Sequence, residues 1–180
     1  DWKFYLKNFE AYLKIEKSLS PNSVEAYLHD IQLLLRYLSF EKKEANPDIL
    51  TLQDMEHFIA YLNDLGMSDR SQARIISGLK AFYKYLVIDD YIKEDPTTLL
   101  EGPKLSKKLP DTLSFEEIEQ LIGALDVSKE ENVRNKAMLE TLYSSGLRVS
   151  ELIGLQISHV YKDVGFIRVI GKGNKERLVP

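Results

Sequence analysis

Over the first ninety residues apolar side chains return every three or four positions, the spacing of one helix face, and four such stretches separate cleanly. Phe4, Tyr5, Phe9, Tyr12 and Leu13 mark the first helix. The second opens at Ser20-Pro21, a capping hydroxyl followed by a proline suited to a first turn. It directs Val24, Tyr27, Leu28, Ile31, Leu34, Leu35 and Leu38 inward. Asn46-Pro47 interrupts the pattern. Thr51-Leu52-Gln53-Asp54 has the form of a capping box, and the third helix, Met55 to Leu65, stops at Gly66. The fourth runs from about Ser68 to about Val87, with Ile75, Ile76, Leu79, Phe82, Tyr83 and Leu86 on one side.

From Asp95 to Pro110 the periodicity lapses. Pro96, Pro103, Pro110 and Gly102, with Lys104, Lys107 and Lys108, predict an extended linker at a domain boundary. Ser114-Phe115-Glu116-Glu117 then forms a second capping box, opening a helix to about Ala124. Ser128-Lys129-Glu130-Glu131 opens the next, which carries Met138, Leu139, Leu142 and Tyr143 on a core-like face and ends before Gly146. A short helix holds Arg148 to Leu155. Val164 to Ile170 alternates and is β-branched, Gly171 to Asn174 is turn chemistry, and Arg177-Leu178-Val179 begins a return strand. The expected architecture is mainly α: a four-helix domain over 1–94, a linker over 95–110, and over 111–180 the first part of an α+β domain with a β-hairpin.

Composition removes several classes. No apolar run is long enough for a membrane span, and no secretory segment opens the chain, which begins at Asp1 rather than Met. Cys is absent, which excludes disulfides and thiolate metal sites and fits a cytosolic protein. The net charge of -4 gives no sign of a nucleic-acid partner. Division at Pro110 does not uncover a hidden basic half, since 1–110 holds 15 basic against 17 acidic side chains and 111–180 holds 9 against 11. Only the end is densely basic, with Arg168, Lys172, Lys175 and Arg177 against Glu176.

Two short motifs could carry chemistry. Phosphodiester cleavage without a metal gathers charge on the non-bridging oxygens, and a fixed arginine is suited to neutralise it. Arg148 follows Gly146 at a predicted helix start, where free backbone N–H groups also favour an anion, and Glu151 stands one turn on to orient it. On spacing alone, the pair reads equally well as a surface ion pair. A lysine at a tight turn can protonate a leaving oxygen, and Lys172 lies between Gly171 and Gly173 with little bulk beside it. Alone it reads equally as a solvated hairpin tip.

The combination is specific. Gly146-Leu147-Arg148-Val149-Ser150-Glu151-Leu152, followed after a strand by Gly171 to Pro180, resembles the tyrosine recombinases of the Xer type. Leu19 to Tyr27, and Ala73 to Leu86, resemble the helical, SAM-like core-binding domain of that family, so the likeness spans nearly the whole chain. The resemblance implies that Arg148 is the first catalytic arginine, Lys172 the hairpin lysine and Glu151 the acid that supports the arginine. It implies site-specific recombination through a 3′-phosphotyrosyl intermediate, with no metal and no cofactor. The family's His-x-x-Arg pair, further His or Trp and nucleophilic Tyr come later in its chains. His29, His57 and His159 do not supply them, and Tyr12, Tyr27, Tyr61 and Tyr83 sit at core-like positions. Residues 1–180 are therefore expected to stop within the catalytic domain, to bind DNA and not to cleave it.

The resemblance also implies partners. Double-stranded DNA would lie against the second and fourth helices, and the intact protein would act as a tetramer on two sites. A second Xer-type recombinase and a DNA translocase would join it, in the bacterial cytoplasm and away from membranes. On the polar side of the fourth helix, Ser71, Gln72, Arg74, Ser77, Lys80 and Lys84 offer cations and hydroxyls to phosphates. Arg74, Ser77 and Lys80 are three apart, on one stripe. Asn22 and Ser23 open the second helix and could offer backbone N–H groups, while Lys175 and Arg177 extend the surface at the hairpin. Chromosome-dimer resolution is the expected role. A mobile-element integrase, a non-catalytic DNA-binding module and a helical protein-interaction domain are the alternatives.

Overall fold

The computed structural model describes residues 1–106 and 109–180, the side chain of Lys172 excepted. The chain forms two compact units, Asp1–Lys107 and Lys108–Pro180. Among the described residues no helix is long and apolar enough to cross a membrane.

The first unit contains the four expected helices: α1 (Trp2–Ile15), α2 (Pro21–Phe40), α3 (Leu52–Asp64) and α4 (Asp69–Ile88). Each begins at a side chain that accepts a backbone N–H, namely Asp1, Ser20, Thr51 and Ser68, and Thr51–Asp54 is a full capping box. Gly66, at φ 76°, closes α3 with its N–H on the Asn63 carbonyl. The predicted apolar faces meet in one core, where Phe9, Ile31, Leu34, Met55, Phe58, Leu79, Phe82, Tyr83 and Leu86 are fully covered. Phe9 is at its centre, edge-on to Phe82 at 5.2 Å. Tyr12, Tyr27 and Tyr61 pack against this core, while Phe4 at the helix edge stays half exposed.

Two polar residues sit inside the unit where periodicity placed none. Gln72 is buried and donates to the Met67 carbonyl at 2.8 Å, so it belongs to the α3–α4 turn and not to the polar face of α4. Asp30 is buried on α2 against Gly78 of α4. Residues after Asp95 are packed at first: Asp95 accepts from the Thr97 N–H and hydroxyl, and Thr97 and Leu100 are buried.

The second unit contains α5 (Phe115–Gly123), α6 (Glu130–Ser145), the five-residue α7 (Val149–Ile153), and β1 (Val160–Tyr161), β2 (Phe166–Ile170) and β3 (Glu176–Val179). The strands form one antiparallel sheet in the order β1-β2-β3, with Val169 opposite Arg177 and Ile170 opposite Glu176. Ser114 caps α5 as expected, with Glu117 completing the box. Ser128 does not cap α6: its hydroxyl and N–H bond Asp126, and the helix starts one residue later, after Lys129. Gly146 ends α6 at φ 58°. Of the described residues in this unit, Leu147, Glu151, His159 and Val169 are the buried ones. Tyr143, expected in the core, is half exposed, because α6 has no fully buried position.

Candidate functional site

The Arg148–Glu151 pair lies where α6 gives way to α7. The left-handed Gly146 reverses the chain, Leu147 is buried, and Arg148 becomes the residue capping α7. Glu151 turns back onto that cap and accepts the Arg148 backbone N–H at 2.8 Å. The Arg148 N–H is therefore occupied, and the free N–H groups expected at this helix start are those of Val149 and Ser150. The same carboxylate accepts Arg148 Nη1 at 3.0 Å. The Arg148 side chain remains 67% exposed, so most of its guanidinium faces outward.

A third group completes the cluster. Arg177, on β3, donates Nη1 to Glu151 Oε1 at 2.6 Å and Nη2 to Oε2 at 2.8 Å. This is the parallel fork that makes Arg–carboxylate pairs strong and directional. Each Glu151 oxygen therefore receives two donors, which fills the capacity of a carboxylate. The Arg177 fork, followed by the Arg148 backbone N–H, holds the Glu151 pKa down at about 2 against the opposing effect of desolvation. Glu151 in turn pushes the Arg177 pKa up. Glu151 and Arg177 are 26 positions apart, and no local spacing announces the contact.

The β2–β3 connection begins beside this cluster. Gly171 donates its N–H to the Lys175 carbonyl at 2.7 Å, closing a short loop in which Gly173 and Asn174 adopt φ of 73° and 59°. The backbone of Lys172 belongs to this loop, and its side chain lies outside the described residues. Lys175 is exposed. Arg168, from the same basic stretch, is tied elsewhere, with Nη2 2.5 Å from His159 Nε2 and Nη1 3.7 Å from Glu176. Because arginine only donates, His159 accepts at Nε2 and carries its proton on Nδ1.

The candidate surface of the first unit is partly committed to structure. Asn22 and Arg74 line one open groove together with His29 and Gln32. Arg74 is half exposed, with Nη1 2.7 Å from Asp30 Oδ1, an ion pair without hydrogen-bond alignment. Burial raises the Asp30 pKa even though Arg74 acts to lower it. Ser77 is exposed and bonds the Ala73 carbonyl, and Lys80 is half-buried. The Ser23 N–H is taken by Ser20, and Ser71 is likewise bonded to the cap Ser68, so neither backbone N–H points freely at a ligand. Sequence reasoning passed over Asp30 and Gly78. Asp30 stands four residues before Leu34, on the inward side, and that spacing was its one signal.

The two units correspond to two known domains. Residues 6–89 match the phage integrase N-terminal SAM-like domain, and residues 111–180 match the phage integrase family. The chain is 39% identical over 175 residues to tyrosine recombinase XerD of Staphylococcus haemolyticus, and 38% identical to that of Listeria innocua. Each alignment covers 97% of this chain and 59% of the relative, so the chain spans about three-fifths of the length of these relatives. Among solved structures, a lambda integrase dimer bound to a COC' core site superposes with a TM-score of 0.79 at 18% identity, covering 99% of this chain and 48% of that one. XerH recombinase bound to a palindromic difH substrate superposes at 0.67 with 20% identity, covering 97% and 52%. These two likenesses establish the fold. With both domain matches in chain order and XerD relatives along nearly its whole length, the chain belongs to the phage-integrase family of tyrosine recombinases.

Proposed function

We propose that this chain supplies the DNA-holding and phosphate-activating part of a site-specific recombinase that breaks and rejoins DNA through a 3′-phosphotyrosyl link. The observation that carries the reading is the Arg148–Glu151 turn, where a saturated carboxylate holds an arginine whose outer face is open. In the reaction a tyrosine oxygen attacks phosphorus and the bond to the 5′ oxygen breaks. Negative charge grows on the non-bridging oxygens, and Arg148 offers it two unspent N–H edges from a fixed position. Lys172 gives its proton to the departing 5′ oxygen, so that a hydroxyl leaves. The phosphotyrosyl ester conserves the bond for rejoining, and no nucleotide is consumed.

Arg74, Ser77, Lys80 and Lys175 contact phosphates and set register without reading bases. The net charge of the chain is -4, and Asp30 offsets part of the charge of Arg74. We propose resolution of chromosome dimers as the role of the intact protein, with a tetramer on two DNA sites and a second recombinase as partner. Residues 1–180 by themselves bind duplex DNA and form no covalent adduct.

The test is fluorescence anisotropy with a labelled duplex over a salt series, together with a denaturing gel after incubation with nicked DNA. The proposal expects binding that weakens steeply with salt, by a log–log slope of about -0.9 per phosphate neutralised. Arg148→Ala should weaken it about tenfold. Salt-independent or absent binding at low salt would overturn the DNA reading, and a covalent band would overturn the inactivity of residues 1–180.

A further inference from the structure

We infer that Arg177 is a positioning residue for Arg148, acting through Glu151 and keeping the cluster cationic, rather than a DNA contact in its own right. The inference rests on the reading of Arg148 as the phosphate-holding arginine.

Geometry separates the two guanidinium groups. Arg177 commits both terminal nitrogens to the two carboxylate oxygens, and its side chain is 39% exposed. Arg148 commits one terminal nitrogen and is 67% exposed. One arginine therefore faces the carboxylate and the other faces outward.

Charge gives the arrangement its purpose. A carboxylate that held Arg148 alone would fix its direction and also cancel its charge, leaving little attraction for a phosphate. With Arg177 bonded as well, one carboxylate is shared by two permanent cations. The cluster keeps a net charge of about +1, carried on the outward-facing arginine. The depressed Glu151 pKa, whose largest cause is Arg177, means that the carboxylate stays ionised into the acid range, well below its ordinary value of 4.5.

The same contact seats the hairpin. Arg177 stands opposite Val169, one pair in from the β2–β3 connection, and Gly171 is packed onto the cluster. A Cβ on Gly171 would lie 3.1 Å from Glu151 Oε1 and 3.2 Å from Arg177 Nη1, so this position has little room for a side chain. Gly171 is the neighbour of Lys172. The loop expected to carry the leaving-group acid is thus rooted on the turn expected to hold the phosphate, and Arg177 is the join.

The experiment is a double-mutant cycle on the whole chain, read as duplex-DNA affinity at low salt by anisotropy. The variants are R148A, R177A, R148A/R177A and R177A/E151Q. An amide NMR spectrum verifies that β2 and β3 persist in each, and R177Q, which keeps a long polar side chain but drops the charge, replaces R177A in the same cycle should R177A disturb them. The expected result is that R148A and R177A each weaken binding about tenfold, while the double variant is no weaker than R148A. Removing the carboxylate charge from R177A, in R177A/E151Q, should restore affinity to within about threefold, because Arg148 then regains an uncancelled charge. The Arg148 Nε–Hε resonance should also move in R177A. Additive losses, no restoration by E151Q, or an unmoved Arg148 resonance would overturn the inference while leaving the reading of Arg148 intact. An R148A variant that binds like the parent would overturn that reading and the inference with it.

Discussion

Each unit buries one carboxylate against arginine, and the two have opposite fates. Asp30 lies inside the helical bundle, its side chain 3% exposed, with Gly78 of the crossing helix pressed against it. Its arginine approaches from the surface to 2.7 Å without aligning, and burial prevails: the Asp30 pKa is raised. Glu151 is covered just as well, but largely by its own donors at the margin of a small sheet. Four aligned donors prevail there, the Arg177 fork foremost, and the pKa falls to about 2. Coverage alone does not set the charge state of a buried acid. The number and alignment of donors around it decide whether desolvation or hydrogen bonding wins.

The strongest way to break the contrast is to remove the better-satisfied acid. Glu151→Ala leaves two guanidinium groups facing each other across an emptied site, with the Arg148 cap undone. The β2–β3 amides should lose most of their hydrogen-exchange protection while those of α1 to α4 keep theirs. Equal loss in both units, or in neither, would show that Glu151 is not the anchor of its unit.

A smaller effect is expected in the other unit. An alanine Cβ at Gly78 would stand 2.4 Å from Asp30 Oδ2, so α2 and α4 must separate or Asp30 must move. Gly78→Ala should cost about 1–3 kcal/mol despite the better helix propensity of alanine. The measurement is a urea melt followed by Trp2 fluorescence, since the single tryptophan stacks on Phe82 in this core and donates to the Ala45 carbonyl. A stabilised variant would mean that the helices have slack at this crossing.

The subtlest effect is a pH dependence of opposite sign from the two acids. Glu151 has a folded pKa below its ordinary value of 4.5, so its contribution is fully present above 4.5 and is lost as pH falls toward about 2. Asp30 has a folded pKa above its ordinary 3.8, so the first unit is favoured below 3.8 and loses that contribution as pH rises through the raised value. Acidification should weaken the hairpin, followed by its amide resonances, while in the bundle, followed by Trp2, the gain from Asp30 is set against a loss from Asp54, where, against desolvation, Lys43 and Thr51 hold the pKa down. Asp30→Asn should shift the Trp2 slope alone. A Trp2 slope unchanged in Asp30→Asn, or a hairpin that does not weaken in acid, would refute the assignment of the two acids.

What could be read from the chain beforehand follows the range of each interaction. The helices were legible because their faces repeat every three or four residues and their caps bond within three, as at Thr51–Asp54 and Ser114–Glu117. Ser128 misled because Asp126, two residues back, competed for its hydroxyl. Tyr143 misled because a helical apolar face predicts burial only when a partner face covers it, and α6 has no fully buried position. Ser23 reads as a free helix start and Ser71 as a free hydroxyl, yet the Ser23 N–H serves the cap Ser20 and the Ser71 hydroxyl lies 3.0 Å from that of the cap Ser68.

The sequence by itself determined the helices, the hairpin, the family and the pairing of Arg148 with Glu151. Each depends on residues within a few positions of one another or on a contiguous motif. Only the tertiary structure decided that Arg177 shares Glu151 with Arg148, that Gly171 is packed against that contact, and that Arg74 is bound to a buried Asp30. Those groups meet across tens of residues, where separation along the chain carries no information about direction. The short motifs that first marked this chain thus specify an arginine and its carboxylate, and it takes the folded sheet to bring the second arginine that lets the first keep its charge.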